Sequence, residues 1–193
     1  MALMTAAEYE ESLRKMNMEV YLFGKRVECP VDDPIIRPSL NSVKMTYELA
    51  QQPEYQELMT VISPLTGERI NRFAHIHQSA EDLKNKVKMQ RLVGQKTASC
   101  FQRCVGMDAF NACYSTTYDM DQALGSNYHE RFLTFLKYCQ EKDLTVDGAM
   151  TDPKGDRSLS PSQQVDPDLF YISWKEGRTE LLCGEQKLTK QEL

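Results

Sequence analysis

Apolar residues recur at helical spacing through most of the chain, and this pattern predicts a mostly α fold. Thr5 and Glu8 form a capping box at the start of the first predicted helix. Val43, Tyr47 and Ala50 form the apolar stripe of the second helix. Helices are expected over residues 5–16, 41–52, 79–94, 97–119 and 128–142.

The breaks between the later helices coincide with residues that favour helix ends. Ser79 and Asp82 are placed to cap the third predicted helix, and Gly94 is placed to close it. Gly125 and Asn127 mark the break before the last helix. These residues divide the apolar pattern into separate helices.

The remaining segments differ in character. Residues 17–28 are expected to be extended with a turn at Gly24, and the prolines of residues 29–40 argue against regular structure there. Residues 65–75 are polar and rich in turn formers. Residues 145–170 are rich in Asp, Pro, Gly and Ser, and composition alone leaves a binding loop and a linker equally open.

Composition narrows the class of protein. The chain has 193 residues, of which 41% are hydrophobic and 26% charged, as is typical of a globular protein. Its net charge of −5 and its scattered Lys and Arg argue against nucleic-acid binding and against a basic membrane-binding patch. No apolar run is long enough to span a membrane, and the N-terminus lacks the apolar core of a signal peptide. The six cysteines are therefore expected to be reduced thiols in a cytoplasmic protein.

Cys100 and Cys104 are the first candidates for chemistry, because they are expected one turn apart on the same helix face. Such a pair could hold one metal or cluster. Strong thiolate motifs have two intervening residues and come as two pairs, so spacing alone favours two buried core cysteines. Gln102 and Arg103 do not fit an inert core segment easily.

The histidines and the basic run are weaker candidates. His75 and His77 could hold a metal only with further ligands, and without an acidic or cysteine partner nearby in sequence they are expected to be surface or packing residues. Residues 81–91 are basic along one side, which is typical of a solvated helix face. Arg91 at the end of this run could reach an anionic ligand.

Four segments carry a resemblance to a known family. They are "IRPSLNSVKMTYELAQ", "GERINRFAHIHQS", "MQRLVGQKTASCFQRCVGMDAFNACYSTTYD" and "DGAMTDPKGDRSLSPS". In these motifs the chain resembles the 4-hydroxybutyryl-CoA dehydratases, which belong to a wider family containing flavin-dependent 4-hydroxyphenylacetate 3-hydroxylases. The resemblance runs from about residue 5 to about residue 170 and covers the first third or so of such an enzyme.

The resemblance implies a fold and a metal site. The fold would be the N-terminal helical domain of an acyl-CoA dehydrogenase-like protein, truncated at the start of its middle β domain. Dehydratases of this kind hold a 4Fe–4S cluster with three cysteines and one histidine, and the motif assigns two of these ligands to Cys100 and Cys104. The paired cysteines separate the dehydratases from the hydroxylases. The resemblance thus reverses the preference for core cysteines, whereas Cys29, Cys113 and Cys139 are expected to be packing residues.

The resemblance also implies a flavin, a substrate and an oligomeric state. FAD would take one electron after deprotonation at C2, which acidifies the C3 proton of 4-hydroxybutyryl-CoA. The cluster would act as a Lewis acid toward the leaving hydroxyl, giving crotonyl-CoA, and the enzyme would also isomerise vinylacetyl-CoA. Gln102 is the catalytic candidate, because it lies between the ligands and could hydrogen-bond substrate or flavin. The family assembles as a homotetramer.

The expected flavin contacts lie in one loop. Its backbone N–H groups and two cations, Lys154 and Arg157, would suit an anionic cofactor. The cofactor-binding residues implied by the resemblance are Met150, Thr151, Asp152, Lys154, Asp156, Arg157 and Ser158.

Three segments are expected along the chain. Residues 1–145 would be the helical domain, and residues 146–170 the flavin-contacting loop that leads to the β domain. Residues 171–193 depart from the family pattern. Codons for residues such as Tyr171 and Trp174 begin with T, and one of the decodings that codon degeneracy allows for a frame shifted back by one base is a strand, turn and strand. We therefore expect a frameshifted, poorly ordered tail.

Different functions remain open at the sequence level. The first is an N-terminal fragment of a flavin and iron–sulfur dehydratase, which by itself would show no dehydratase activity. The second is a non-catalytic helical remnant. The third is a flavin-dependent monooxygenase of the same wider family, which the cysteine pair disfavours.

Overall fold

A computed structural model describes residues 3–16, 18–148, 155–156, 158–160, 163–165, 173–175, 178–183 and 186–188. The chain divides into two units, Met1–Gly148 and Ala149–Leu193. The first unit is helical, which confirms the predicted mostly α fold. Its helices are α1 (Ala6–Lys15), α2 (Arg37–Gln51), α3 (Gln56–Met59), α4 (Ala80–Thr97), α5 (Arg103–Leu124) and α6 (Tyr128–Glu141).

The first helix begins with the predicted capping box. The Thr5 hydroxyl accepts from the Glu8 N–H at 3.2 Å, and the Thr5 N–H donates to the Glu8 carboxylate at 2.7 Å. One turn further along, the Glu10 carboxylate pairs with Lys44 and Arg37 at 2.5 and 2.9 Å, which ties α1 to α2. Hydrogen bonds from Lys44 and then Arg37 lower the pKa of Glu10 to about 2.

The second helix begins earlier than the sequence predicted. It starts at Arg37, inside the proline-containing segment that was expected to lack regular structure, and Pro38 occupies its first turn. Proline is well tolerated there because the first N–H groups of a helix have no partner within the helix. Val43, Tyr47 and Ala50 are all buried, so the predicted stripe is the core-facing side of α2.

Two hairpins flank these helices. Strands β1 (Val20–Leu22) and β2 (Lys25–Val27) are antiparallel and connected through the predicted turn at Gly24, whose φ is 75°. Strands β3 (Thr60–Ile62) and β4 (Arg69–Asn71) form a second antiparallel pair.

The segment 65–75 is more than the polar turn that the sequence predicted. After the β3–β4 turn it continues as β4 and a 3-10 turn over Arg72–Ala74, and Ile70 through Ile76 are buried. The polar residues of this segment do not suggest burial from the sequence. They are nevertheless buried, because Asn71 and Arg72 form their hydrogen bonds inside the protein.

Capping and left-handed residues determine where the last three helices begin and end. Ser79 caps α4 as predicted, but α4 continues through Gly94 to Thr97 and ends where Ala98 adopts a left-handed φ of 49°. The break at Gly125 is confirmed, with a φ of 64°. Asp121 then caps α6 from the preceding helix, because its carboxylate accepts from the N–H groups of residues 128 and 129 at 2.8 and 2.9 Å.

The core of the helical unit consists of two clusters. The first contains Leu49, Ala50, Met59, Phe73, Met89, Val93, Phe101 and Met107. The second contains Ile70, Ala74, Ile76, Phe110, Leu136 and Cys139. Helix α5 belongs to both, through Met107 and Phe110. Within the described residues, no helix is both long and apolar enough to cross a membrane.

The second unit contains strands β5 (Ser173–Lys175), β6 (Arg178–Cys183) and β7 (Gln186–Leu188), paired antiparallel in this order. The sequence led us to expect a poorly ordered end, and this stays a prediction. The sequence pairs Glu176–Gly177 and Gly184–Glu185 separate the three runs, and two-residue connections containing glycine favour hairpins. The expectation of a frameshifted tail stays a prediction.

Candidate functional site

Two thiols lie at the junction between α4 and α5. Cys100 is exposed in the loop after α4, and Cys104 is partly buried in the first turn of α5. The prediction of one helix over 97–119 with both thiols on one face is therefore wrong. The helix is interrupted because Ala98 and Gln102 have left-handed φ values of 49° and 65°.

The loop nevertheless brings the two thiols close enough to interact. Burial raises the pKa of the Cys104 thiol, and the neighbouring Cys100 thiol raises it further. The backbone N–H groups of Val105 and Cys104 oppose these effects, as expected at the start of a helix. A positive charge beside both sulfur atoms would favour their thiolate forms, so the pair is chemically suited to a soft metal centre.

Phe101 anchors the loop between the thiols. Its side chain is buried, and its ring centroid lies 5.6 Å from that of Phe73 in the first core cluster. Because this anchor is part of the core, it can hold the adjacent Gln102 backbone in a sparsely populated conformation, which costs about 1–3 kcal/mol and is common at ligand sites. The loop is therefore a fixed element of the fold.

Gln102 stands at the first boundary of α5. It is the N-cap residue with φ 65° and ψ −34°, and within the described chain its side chain makes no capping hydrogen bond. The side chain is only partly buried, so a ligand at the thiol loop could contact it. The catalytic role assigned to Gln102 by resemblance stays a prediction.

Arg103 was not identified by sequence reasoning as part of the site. Its side chain is almost fully buried, its Nη1 donates to the Thr46 hydroxyl at 3.0 Å, and its Nη2 lies 3.4 Å from the Asp143 carboxylate. The guanidinium carbon is also 4.5 Å from the Tyr47 ring centroid. The signal that could have found it is a charged residue within an apolar helical pattern.

The predicted flavin loop lies largely outside the described residues. Met150, Thr151, Asp152, Lys154 and Arg157 all fall there. Asp156 and Ser158 are described, and the Asp156 carboxylate accepts from the Ser158 hydroxyl at 2.6 Å and from its N–H at 2.9 Å. These hydrogen bonds lower the pKa of Asp156. The assignment of all seven residues to flavin binding stays a prediction.

His75 has an acidic neighbour that the sequence did not reveal. Its Nε2 lies 3.3 Å from the Asp82 carboxylate, which also lies 3.7 Å from the Arg72 guanidinium. Burial lowers the pKa of His75, against the effect of Asp82, and burial likewise lowers that of His77. His75 is thus a packing histidine. Among the described residues, no group of three or more His, Cys, Asp or Glu could hold a metal ion.

The other described cysteines differ from one another. Cys139 is buried in the second core cluster, as expected of a packing residue, and burial raises its pKa. Cys113 is exposed on α5, so its expected packing role is wrong. Cys29 is partly exposed and its thiol donates to the Asp32 carboxylate at 3.2 Å. Neither Cys29 nor Cys113 is a core residue.

Comparison with known protein families identifies the family of this chain. Residues 5–176 match the family described as 4-hydroxyphenylacetate 3-hydroxylase N terminal. The chain belongs to this 4-hydroxyphenylacetate 3-hydroxylase N-terminal family. The match includes the whole helical unit from α1 to α6 and both thiols of the junction.

Within this family, the comparison with dehydratases is the most informative. It is 68% identical over 168 residues to 4-hydroxybutyryl-CoA dehydratase/vinylacetyl-CoA-Δ-isomerase of Clostridium aminobutyricum, which covers 87% of this chain and 34% of that enzyme. This similarity confirms the resemblance indicated by the sequence motifs. The chain thus spans about a third of the length of this relative.

Solved structures of the family agree on the fold. The oxygen-tolerant archaeal 4-hydroxybutyryl-CoA dehydratase from N. maritimus is 51% identical, with a TM-score of 0.77 over 93% of this chain and 36% of that one. The oxygenase component of 4-hydroxyphenylacetate 3-monooxygenase, complexed with FAD and 4-hydroxyphenylacetate, is 24% identical with a TM-score of 0.61 over 95% of this chain and 36% of that one. The predicted N-terminal helical domain of an acyl-CoA dehydrogenase-like fold is confirmed.

Proposed function

We propose that this chain forms the N-terminal part of a dehydratase that converts 4-hydroxybutyryl-CoA to crotonyl-CoA and isomerises vinylacetyl-CoA. The observation that carries the proposal is its 68% identity to an enzyme of that name, compared with 24% to the oxygenase component. A difference this large within one family favours the acyl-CoA chemistry over hydroxylation of an aromatic ring.

Cys100 and Cys104 are the residues that would hold an iron–sulfur cluster. Their donor chemistry fits, because the Cys100 thiol in the loop and the Cys104 thiol in the first turn of α5 are close enough to interact, and paired thiolates are the usual ligands of such clusters. A cluster needs further ligands, and the described residues provide no third His, Cys, Asp or Glu at this place. We assign those ligands to the part of the enzyme that corresponds to the other two thirds of the relatives. When bound, the cluster would supply Lewis acidity toward the leaving hydroxyl.

Flavin binding is the second role that we propose. The structure of the oxygenase component contains FAD, which supports a flavin in the family. Met150, Thr151, Asp152, Lys154, Asp156, Arg157 and Ser158 are the residues that we assign to it. The cations among them would attract the anionic diphosphate, and Ser158 would keep Asp156 ionised and oriented through the hydrogen bonds that it donates.

Gln102 is the proposed contact between this chain and the reacting molecule. Its side-chain amide can both donate and accept, so it could orient a thioester carbonyl or a flavin edge. Gln102 has a left-handed φ, is partly buried, and directly follows Phe101, which anchors the loop in the core. We further propose that the complete enzyme is a homotetramer.

A chimeric enzyme tests the proposal directly. Residues 1–170 of this chain replace the matching N-terminal third of the Clostridium enzyme, and the product is purified and reconstituted without oxygen. We expect an iron–sulfur absorption band, bound FAD and formation of crotonyl-CoA from 4-hydroxybutyryl-CoA. Cys100→Ala and Cys104→Ala should each lose the band, because each removes one thiolate ligand. Cys113→Ser, an exposed cysteine on the same helix, is the matched control and should retain iron.

The outcomes separate the alternatives. If both alanine variants keep the iron content and activity of the parent chimera, the ligand assignment is wrong. In a separate assay with O2, hydroxylation of 4-hydroxyphenylacetate at the expense of reduced flavin, in the absence of dehydration, would instead support a monooxygenase. A chimera that folds, binds FAD and catalyses neither reaction would favour a non-catalytic remnant.

A further inference from the structure

Gly106 is the point at which another part of the backbone comes closest to α5. A Cβ atom placed on Gly106 would lie 2.6 Å from the carbonyl carbon and 3.0 Å from the Cβ of Val146, and closer still to the Val146 carbonyl oxygen. Two of these three atoms are backbone, so a rotamer change of Val146 cannot make the space. Glycine in the middle of a helix lowers its stability by about 1 kcal/mol relative to alanine. The close approach of Val146 explains why glycine is nevertheless found here, since no larger residue fits.

Arg103 holds the same segment from the first turn of α5. Its Nη2 donates to the Leu144 carbonyl at 3.3 Å and lies 3.4 Å from the Asp143 carboxylate. The rings of Tyr47 and Phe73 flank its guanidinium, with centroids at 4.5 and 5.1 Å. A planar guanidinium can donate to several acceptors at once, which a lysine ammonium cannot match in this geometry.

Helix α2 and the N-terminus complete the contacts. The Tyr47 hydroxyl donates to the Asp143 carbonyl at 2.9 Å and lies 2.8 Å from the Thr145 hydroxyl. The Met4 N–H donates to the Asp143 carboxylate at 3.1 Å. Asp143 has a left-handed φ of 48°, a conformation that Asp tolerates better than most residues. Each residue from 143 to 146 therefore has at least one specific contact.

We infer that Gly106 and Arg103 are positioning residues, which dock residues 143–146 against the first turn of α5 and thereby hold the backbone of Cys104. Cys104 lies between these two residues, so its backbone is fixed on both sides by contacts with the same segment. The inference relies on the proposed function only in treating Cys104 as part of a cofactor site. The contacts themselves are independent of any cofactor.

Gly106→Ala tests the docking, and Gly94→Ala is its matched control. Both glycines are in helices, but a Cβ at Gly94 meets nothing within 4 Å. The measurements use the 193-residue chain without iron or flavin: amide hydrogen exchange of residues 143–148, and alkylation rates of each cysteine by mass spectrometry. In Gly106→Ala we expect exchange of residues 143–148 and alkylation of Cys104 to be about tenfold faster, as a local loss of 1.4 kcal/mol implies. Gly94→Ala gains helix propensity without a clash, so its exchange and alkylation should be no faster than in the parent chain.

A milder variant keeps the test valid if Gly106→Ala does not fold. Tyr47→Phe removes only the hydroxyl that contacts Asp143 and Thr145. Tyr55→Phe, at a partly buried tyrosine that packs against the first core cluster, is its control. Tyr47→Phe should accelerate the same exchange and the alkylation of Cys104 by at least about threefold, because the two hydrogen bonds of the hydroxyl are lost.

Two results would overturn the inference. One is that the folded Gly106→Ala or Tyr47→Phe chain shows the same amide exchange and the same Cys104 alkylation rate as its control. The other is an equal acceleration of amide exchange at residues 143–148 and, measured in parallel, around Met89 in α4, because that would indicate general destabilisation. Since no cofactor is present, these results are independent of whether the chimera binds iron.

Discussion

Arg72 lies in the core although the sequence around it is polar. Its Nε donates to the Leu58 carbonyl at 2.7 Å, and its Nη2 donates to the carbonyls of Glu57 and Thr60 at 3.0 and 2.9 Å. Three backbone carbonyls are thereby satisfied by one side chain, as buried polar groups require. At this scale, residue type alone does not reveal burial, because the partners come from a different part of the chain.

His75 gives a pH dependence whose sign follows from its burial. Burial lowers its pKa below 6.5, Asp82 acts in the opposite direction, and Arg72 lowers it further. The unfolded chain therefore takes up a proton below about pH 6.5 while folded His75 resists it. Stability present above that pH is lost as pH falls, by at most about 1.4 kcal/mol per pH unit for this group.

We predict that His75→Gln makes the free energy of unfolding fall less steeply between pH 7.5 and pH 5.5, because the buried imidazole no longer disfavours protonation of the folded state. Urea unfolding at several pH values gives the slope of the unfolding free energy against pH. This slope is compared between the variant and the parent chain, whatever their difference in absolute stability. His77 also has a pKa lowered by burial, so His77→Gln is measured in parallel to assign the remaining slope. An unchanged slope in His75→Gln would contradict the prediction.

Helix ends decide the architecture at the scale of the elements. Helix α4 begins at a side-chain cap and ends at a left-handed residue, and the loop after it places Cys100 beside Cys104. The Ser79 hydroxyl accepts from the Asp82 N–H at 3.2 Å, and the Asp82 carboxylate in turn accepts from the Gln78 N–H at 2.9 Å. The start of α4 is thus fixed by reciprocal bonds of the capping type.

Ser79→Ala should lower the free energy of unfolding by about 1 kcal/mol, because the N–H of Asp82 loses its acceptor. Ser79→Thr keeps a hydroxyl at the cap and should lose only a few tenths of that amount. Chemical denaturation followed by far-UV circular dichroism measures both. Equal destabilisation by the two substitutions would show that the hydroxyl is not responsible.

At the scale of the whole helical unit, α5 links two core clusters. Met107 is fully buried in the first cluster, and Phe110, less than one turn later, is buried in the second. The first turn of α5 also contains Cys104. A single helix therefore couples the packing of both clusters to the geometry of the thiol junction.

Met107→Ala should destabilise the helical unit by about 2–5 kcal/mol, through lost burial and the cavity that remains. Because α5 belongs to both clusters, amide exchange should accelerate around Met89 and around Leu136 alike. Leu83→Ala, at a half-exposed position of α4, is the control and should change stability by less than about 0.5 kcal/mol. Acceleration confined to the first cluster would show that the two clusters unfold separately.

Local signals in the sequence determined several features that the structure retains. The capping box at Thr5, the cap at Ser79 and the break at Gly125 involve contacts within a few residues, so the residue types alone indicate them. The apolar period identified the buried face of α2. The motif around Cys100 and Cys104 identified the family before any geometry was known.

Only the tertiary structure decided how the candidate site is built. The left-handed residues Ala98 and Gln102, on either side of Cys100, interrupt a pattern whose apolar period continues, so periodicity could not reveal them. An isolated glycine in a helical pattern was the available signal for Gly106, but its partner Val146 is forty residues away in sequence. Arg103 and Asp143 are separated by the same distance. These contacts form because two helices pack against one returning segment, and a single sequence records no such long-range pairing.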